Sequence, residues 1–345
     1  MTDFVSPLAV THLSPYNALG FGVPNLPDVL LDLRSDMQAR LQASFQHLPV
    51  SMQQEAQGIV QAYSGRTDEF FRLFYQPVWS FLHWVMACAT PPIPQAAMDD
   101  ARTAQALGLF LHLWDDHLCD GQLHTTQLTL QVRSDAWAAY RSAALRLAQH
   151  MGTPSTLVDE HCATYLSAIH IPETIDNLDD FCARFERQIA IWTLVPRLIS
   201  PAIGGESAGE DLVRLLKTFS NAWRIMDDLQ DVEDDVVSGV ESAVWQALDA
   251  QGRQLWGEAH AQTRILGQLE TRSWAALQAH LDADASMGKL LVKTCEWLDR
   301  AAAVARQNGW AIWSKRSRPT APQPYQTTAH EKPRQNWQTD DKIHL

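Results

Sequence analysis

Six carboxylates fall within nine residues, Asp227-Asp228-Leu229-Gln230-Asp231-Val232-Glu233-Asp234-Asp235, inside a stretch otherwise patterned as a helix. At 3.6 residues per turn, Asp227, Asp231 and Asp235 share one face as a row spaced i, i+4, i+8. Like charges at that spacing repel, so the row calls for a cation lying over it. Carboxylate oxygens are hard ligands suited to Mg²⁺, which takes a few of them together with waters and substrate phosphates. A second cluster begins 112 positions earlier with Asp115, Asp116 and Asp120, set among Leu107, Phe110, Leu111, Trp114 and Leu118. Carboxylates on so apolar a helix are costly to bury without a cation. Two such helices face to face would form an acidic mouth above an apolar cavity, able to hold several Mg²⁺ ions and through them a diphosphate. Either cluster alone reads equally well as a solvated helix face.

The elements that must carry these residues are helical. Apolar residues recur at three-to-four spacing, as in Val29, Leu30, Leu33, Met37, Leu41 and Phe45, and no alternating strand or Asn-Gly hairpin interrupts them. The pattern predicts helices near 27–48, 51–63, 67–89, 95–119, 125–150, 155–170, 177–200, 207–237, 241–281 and 285–313. The expected fold class is therefore all-α, a single-domain bundle of about ten helices around a central apolar cavity. Residues 25–314 would form that domain, after an N-terminal segment 1–24. From Lys315 the sequence turns rich in Pro, Gln, Thr and charge, so 315–345 reads as a flexible polar tail. Arg316, Arg318 and Tyr325 lie in it and would have to fold over a filled site to contribute.

Composition narrows the partners. The 345 residues carry 27 Lys+Arg against 40 Asp+Glu, a net charge of -13, which argues against nucleic acid and against an anionic membrane surface. Five singly scattered cysteines suggest neither a disulfide framework nor a zinc site, and fit a reducing cytoplasm. No stretch approaches the ~18 apolar residues of a spanning helix. Thirteen tryptophans imply thick helix packing, an aromatic-lined cavity, or both.

The stretch Trp223 to Asp235 resembles the second aspartate-rich motif of trans-prenyl diphosphate synthases, FQIxDDxLDxxGD. Both aspartate pairs keep their places, and Trp223, Arg224, Gln230 and Asp234 depart from it. Asp115-Asp116-His117-Leu118-Cys119-Asp120 resembles a DDxxxD variant of the first motif shared by prenyl synthases and class I terpene synthases. The resemblance covers roughly residues 65 to 310 and implies an isoprenoid-synthase fold. It also implies three Mg²⁺ and a substrate diphosphate held by Asp115, Asp116, Asp120, Asp227, Asp228, Asp231 and Asp235, with Asp115, Asp116, Asp227 and Asp231 central to ionisation. A homodimer is compatible with it.

The branch is decided by what is missing. Chain-elongating synthases carry an Arg-Arg pair soon after the first motif and a Gly-Lys-x-x-Arg segment near the N-terminus for their second substrate. Here the first arginine after Asp120 is Arg133, and no such N-terminal segment exists. The chain therefore resembles a class I terpene synthase most, although Asp227, Asp231 and Asp235 stand where a terpene synthase has its Asn/Asp, Ser/Thr and Glu. Expected diphosphate ligands are Arg184 and Arg187, 43 and 40 residues before Asp227, with Lys217 and Arg224. Arg187 could instead pair with Glu186 or Glu173. Phe81, Trp84, Phe110, Trp114, Trp192 and Trp223 are expected to line the cavity, where aromatic faces would stabilise a carbocation. Each also reads as plain core. His112 and His117 flank the first motif and read more simply as structural. The rival functions are a prenyltransferase and a non-catalytic helical protein that binds metal or a partner.

Overall fold

A computed structural model describes residues 26–63, 70–74, 76–119, 121–171 and 173–310. Segment 1–24, tail 315–345 and Asp120 lie outside the described residues. Fourteen α-helices and no strand occur among those described: α1 (Asp28–Ala43), α2 (Val50–Tyr63), α3 (Pro77–Cys88), α4 (Gln95–Cys119), α5 (Gln127–Met151), α6 (Thr156–His170), α7 (Leu178–Gln188), α8 (Ala190–Leu198), α9 (Glu206–Gln230), α10 (Val232–Ser238), α11 (Ala243–Ala247), α12 (Ala250–Leu266), α13 (Thr271–Ala283) and α14 (Ser286–Gln307). None of them is long and apolar enough to cross a membrane. All five cysteines are free.

The count exceeds ten because three predicted helices break at identifiable residues. The segment 177–200 divides at Ile189 (φ -95, ψ 10) into α7 and α8. The segment 207–237 divides at Asp231 (φ -105, ψ 19) into α9 and α10. The segment 241–281 becomes α11, α12 and α13, with Asp249 capping the start of α12 through Gly252 N–H and Gly267 (φ 70) closing its end. At Ile189 and Asp231 the apolar residues keep three-to-four spacing across the break (Phe181, Phe185, Ile189, Trp192; Ile225, Leu229, Val232, Val236), so period alone does not register it.

Two helices are apolar nearly all round and sit at the centre. In α8 every residue but Arg197 is buried, and from Ala104 to His112 α4 has no exposed position. Their close approach is set by Gly108, where a Cβ would lie 3.0 Å from the Ile191 carbonyl oxygen. Tyr140 on α5 donates its hydroxyl to that same carbonyl at 2.8 Å. After α8 the chain makes a tight Ser200–Ala202 turn into α9, and the Ala202 carbonyl accepts the Thr90 N–H at 2.8 Å.

Buried side chains form two apolar clusters. The larger gathers α1 to α6, Phe185 of α7, α8, α9 as far as Ala222 and the end of α14, and the smaller gathers Cys182 of α7, the end of α9, α10 to α13 and the start of α14. Helix α9 gives Leu212, Leu215, Leu216, Phe219 and Ala222 to the first, and Ile225 and Leu229 to the second. Trp223 and Arg224 therefore stand where α9 passes from one core to the other, and Asp227 and Asp228 follow within the next turn.

Candidate functional site

The row on α9 keeps its register through the break. Asp231 N–H donates to the Asp227 carbonyl at 3.0 Å, and Asp235 N–H to the Asp231 carbonyl at 2.9 Å, so the three remain one helical turn apart while the axis bends at Asp231. Asp228 lies beside the row and is 3% exposed. Its Oδ2 accepts the Ala243 N–H at 2.7 Å, which anchors the start of α11, and its Oδ1 is 3.1 Å from Arg224 Nε. Burial pushes the Asp228 carboxyl up to about 6, against the opposing charge of Arg224 and the Ala243 N–H bond, while Asp227 and Asp231 add repulsion. Asp235 is pushed up to about 8, first by burial and then by the charge of Asp228. Its Oδ2 is buried without a hydrogen-bond partner among the described residues, although the nearby Ser242 hydroxyl eases the carboxyl's charge.

Arg224 occupies the middle. Burial works against its charge, and the carboxylates of Asp228, Asp227, Asp116 and Asp235, in that order, together outweigh it and hold the guanidinium above the usual arginine range. Asp116 belongs to α4, so charge from both acidic clusters reaches Arg224 although they lie 112 positions apart in sequence. On α4 one turn before Asp116, His112 donates Nδ1–H to the Gln188 carbonyl at 3.1 Å, since a carbonyl can only accept. Burial holds His112 below the usual histidine range, despite Asp116, so the ring is neutral. His117 is likewise lowered by burial.

Asp115 points elsewhere. Arg133 on α5 grips it with Nε to Oδ1 at 2.5 Å and Nη2 to Oδ2 at 3.0 Å, and Trp137 Nε1–H and the Tyr165 hydroxyl donate to Oδ2 at 3.3 and 3.2 Å. The cation that burial of Asp115 requires is thus supplied from within the chain, and the expected role of Asp115 at the mouth gives way to a strut between α4, α5 and α6. Sequence reasoning missed Arg133, Trp137 and Tyr165. A usable signal existed for the first: Asp115 lies four residues before the end of α4 and Arg133 six after the start of α5, so an antiparallel hairpin brings them level.

Of the four basic candidates, three are engaged away from the row. Arg187 pairs with Glu173, Arg184 Nε donates to the Ala168 carbonyl at 3.3 Å, and Lys217 lies 3.4 Å from Glu186, which also accepts from Asn221. Only Arg224 stands among the aspartates.

Phe185, which lies against the Arg224 guanidinium, belongs to an aromatic group. Trp223 meets Trp192 at 6.0 Å, Phe74 at 6.2 Å and Phe185 at 6.4 Å between ring centroids, and His112 lies 5.2 Å from Trp192. Phe110 and Trp114 stack at 4.8 Å, with Trp114 Nε1–H reaching the Thr129 carbonyl. Phe81 and Trp84 pair at 6.4 Å, and Trp84 continues to Trp310. Among the described residues no three His, Cys, Asp or Glu side chains converge as a ready-made metal site. The donor set nevertheless suits a hard divalent ion: Asp116, Asp227, Asp231 and Asp235 offer only oxygen, and Asp235 carries a buried oxygen with no aligned partner. Compared with known proteins, the chain matches no family model and no curated protein.

Proposed function

We propose that the protein is a class I terpene synthase that ionises a linear prenyl diphosphate, guides the resulting carbocation through cyclisation or rearrangement, and releases diphosphate. What supports this reading is that the charges of Asp116, Asp227, Asp228 and Asp235 all act on Arg224, whose guanidinium lies over Phe185, a ring that packs on Trp223 of the Trp192–Trp223 aromatic group. Asp116, Asp227, Asp231 and Asp235 are the residues that would hold Mg²⁺, three ions by the resemblance. The chemistry Mg²⁺ supplies when bound is Lewis-acid pull on the leaving diphosphate. Arg224 places N–H donors where the departing oxygens gather charge. Trp192, Trp223, Phe74 and Phe185 exclude water from the allylic cation and face it with π-electron density, worth up to ~2 kcal/mol per contact when desolvated. The neutral His112 adds no competing positive charge there.

One observation favours a second reading, a non-catalytic helical protein. Asp115 and Asp228 both have internal arginine partners, as acids acting only as struts would.

Incubating the purified chain with Mg²⁺ and geranyl, farnesyl, geranylgeranyl or farnesylgeranyl diphosphate, with and without isopentenyl diphosphate, separates the readings. Hydrocarbon or alcohol from a single substrate supports the synthase. A longer diphosphate formed only with both substrates points to a prenyltransferase, and no turnover of any leaves the non-catalytic protein.

A further inference from the structure

We propose that His112 and Trp192 hold one water molecule between them and use it to quench the final carbocation, so that the product is an alcohol. The proposal rests on the synthase reading above and adds the class of product and the group that takes the last proton.

The break between α7 and α8 sets both residues. At Ile189 the helical bonding slips by one residue, so the Trp192 backbone N–H donates to the Ile189 carbonyl at 3.1 Å and the Gln188 carbonyl is left to accept His112 Nδ1–H, also at 3.1 Å. That second bond fixes the tautomer, with the proton on Nδ1 and a lone pair on Nε2. Among the described residues Nε2 has no hydrogen-bond partner. Burial keeps the ring neutral, so the lone pair is available. The indole of Trp192 lies against this imidazole, with ring centroids 5.2 Å apart and planes at 59°. Trp192 is 0% exposed, and its Nε1–H is buried without an acceptor. An unpartnered indole does not by itself mark a site, since Trp79, Trp256, Trp274 and Trp297 share the feature. What distinguishes Trp192 is the ring beside it, which sets a donor lacking an acceptor next to an acceptor lacking a donor.

The guest that satisfies both must accept from an N–H and donate to a nitrogen lone pair. A metal ion cannot accept a hydrogen bond and a hydrocarbon chain can do neither, whereas water does both. Two bonds of about 2.9 Å to one water oxygen span roughly 5 Å, comparable with the separation of the two rings. The rings packed on this pair, Phe74 and Trp223 on Trp192 and Phe185 on His112, are those assigned above to face the cation. A water held in this way keeps one lone pair free. That pair forms the C–O bond to the cationic carbon, the O–H bond toward His112 breaks with its electrons left on oxygen, and the proton moves to Nε2. The charge of Asp116 favours the imidazolium so formed, which returns its proton to solvent as the alcohol leaves.

Two measurements test this, the first without substrate. In the full chain labelled with ¹⁵N at tryptophan, water-to-indole cross-relaxation is expected to show a long-lived water at the Nε1–H signal that Trp192→Phe removes. His112→Asn keeps a donor for the Gln188 carbonyl, places nothing at Nε2, and is expected to lose that water. The second is incubation with Mg²⁺ and each of the four prenyl diphosphates in H₂¹⁸O, which is expected to give an alcohol carrying one ¹⁸O. In His112→Asn and Trp192→Phe the ratio of alcohol to hydrocarbon is expected to fall at least about tenfold, whatever the total rate. The ratio is the readout because lost packing slows turnover without choosing between the two products. An alcohol fraction unchanged in both variants would overturn the proposal, as would an indole signal with no bound water. If His112→Asn does not fold, Trp192→Phe decides through the ratio. A wild type without turnover defeats the synthase reading and takes the quenching step with it, whereas turnover to hydrocarbon alone leaves that reading standing and overturns only the proposal.

Discussion

Asp115 and Arg133 meet as a two-pronged ion pair across the hairpin of α4 and α5, with a carboxylate that is 1% exposed and accepts two further hydrogen bonds. Such a pair differs from a surface salt bridge, because losing one partner leaves the other charge with poor access to water. Arg133 keeps 29% of its side-chain surface, which moderates the penalty. Asp115→Ala is therefore expected to cost about 2 kcal/mol in urea unfolding, and Arg133→Met made on top of it should cost much less than Arg133→Met alone. Both effects should be the same with or without Mg²⁺. A variant as stable as the wild type but weakened in Mg²⁺ binding would return Asp115 to the metal site.

How much of this was legible in the sequence follows from the same residue. The helical class, the register of Asp227, Asp231 and Asp235, and the Arg187–Glu173 pair are local facts, fixed by helical period or by short separation. The partner of Asp115 depends on which helix packs against α4, and period says nothing about neighbours. The breaks at Ile189 and Asp231 were hidden for a related reason, since each leaves the buried stripe continuous. Residue type alone makes Arg224 a candidate ligand for diphosphate. Its position among acids from both α4 and α9 emerges only once those helices are side by side.

Stability should fall as pH rises. Asp228 and Asp235 have carboxyls raised in the folded chain to about 6 and about 8, whereas unfolded aspartate titrates near ~3.9. The folded state thus binds more protons between those limits, so the contribution is fully present below pH ~4 and is lost by pH ~8. Asp235→Asn removes the upper part of that slope. The expected result is a melting temperature a few degrees above the wild type at pH 8 and little different at pH 5, read by calorimetry without divalent ions. A wild-type melting temperature flat across pH 5 to 8 would contradict the assignment.

Gly108→Ala tests the spacing of the two central helices. Alanine favours a helix over glycine by roughly 1 kcal/mol, so an open site would be stabilised. Here the new Cβ meets the Ile191 carbonyl oxygen at 3.0 Å and Tyr140 at 3.4 Å, and a backbone carbonyl bonded to the Tyr140 hydroxyl cannot swing aside. Overpacking is expected to win, with a net loss of about 1–3 kcal/mol in urea unfolding. A stabilised variant would mean that α4 and α8 stand further apart than described.

Trp223→Leu addresses what the aromatic group does for a cation. Trp223 touches Phe74, Phe185 and Trp192 through its ring and is only half-buried, so shortening it leaves the cores on either side of α9 largely in place. If the indole face stabilises a later carbocation, the variant still ionises the substrate, because Asp116, Asp227 and Arg224 are untouched. The intermediate is then quenched earlier. A lost cation–π contact of up to ~2 kcal/mol corresponds to a shift of up to about thirtyfold in the ratio of cyclised to acyclic product. The measurement is a product ratio by gas chromatography beside a diphosphate-release rate. Unchanged ratios at an unchanged rate would make Trp223 ordinary core, and a lost rate at an unchanged ratio would tie it to the acids above it. Only a changed ratio at a preserved rate separates steering the cation from making it.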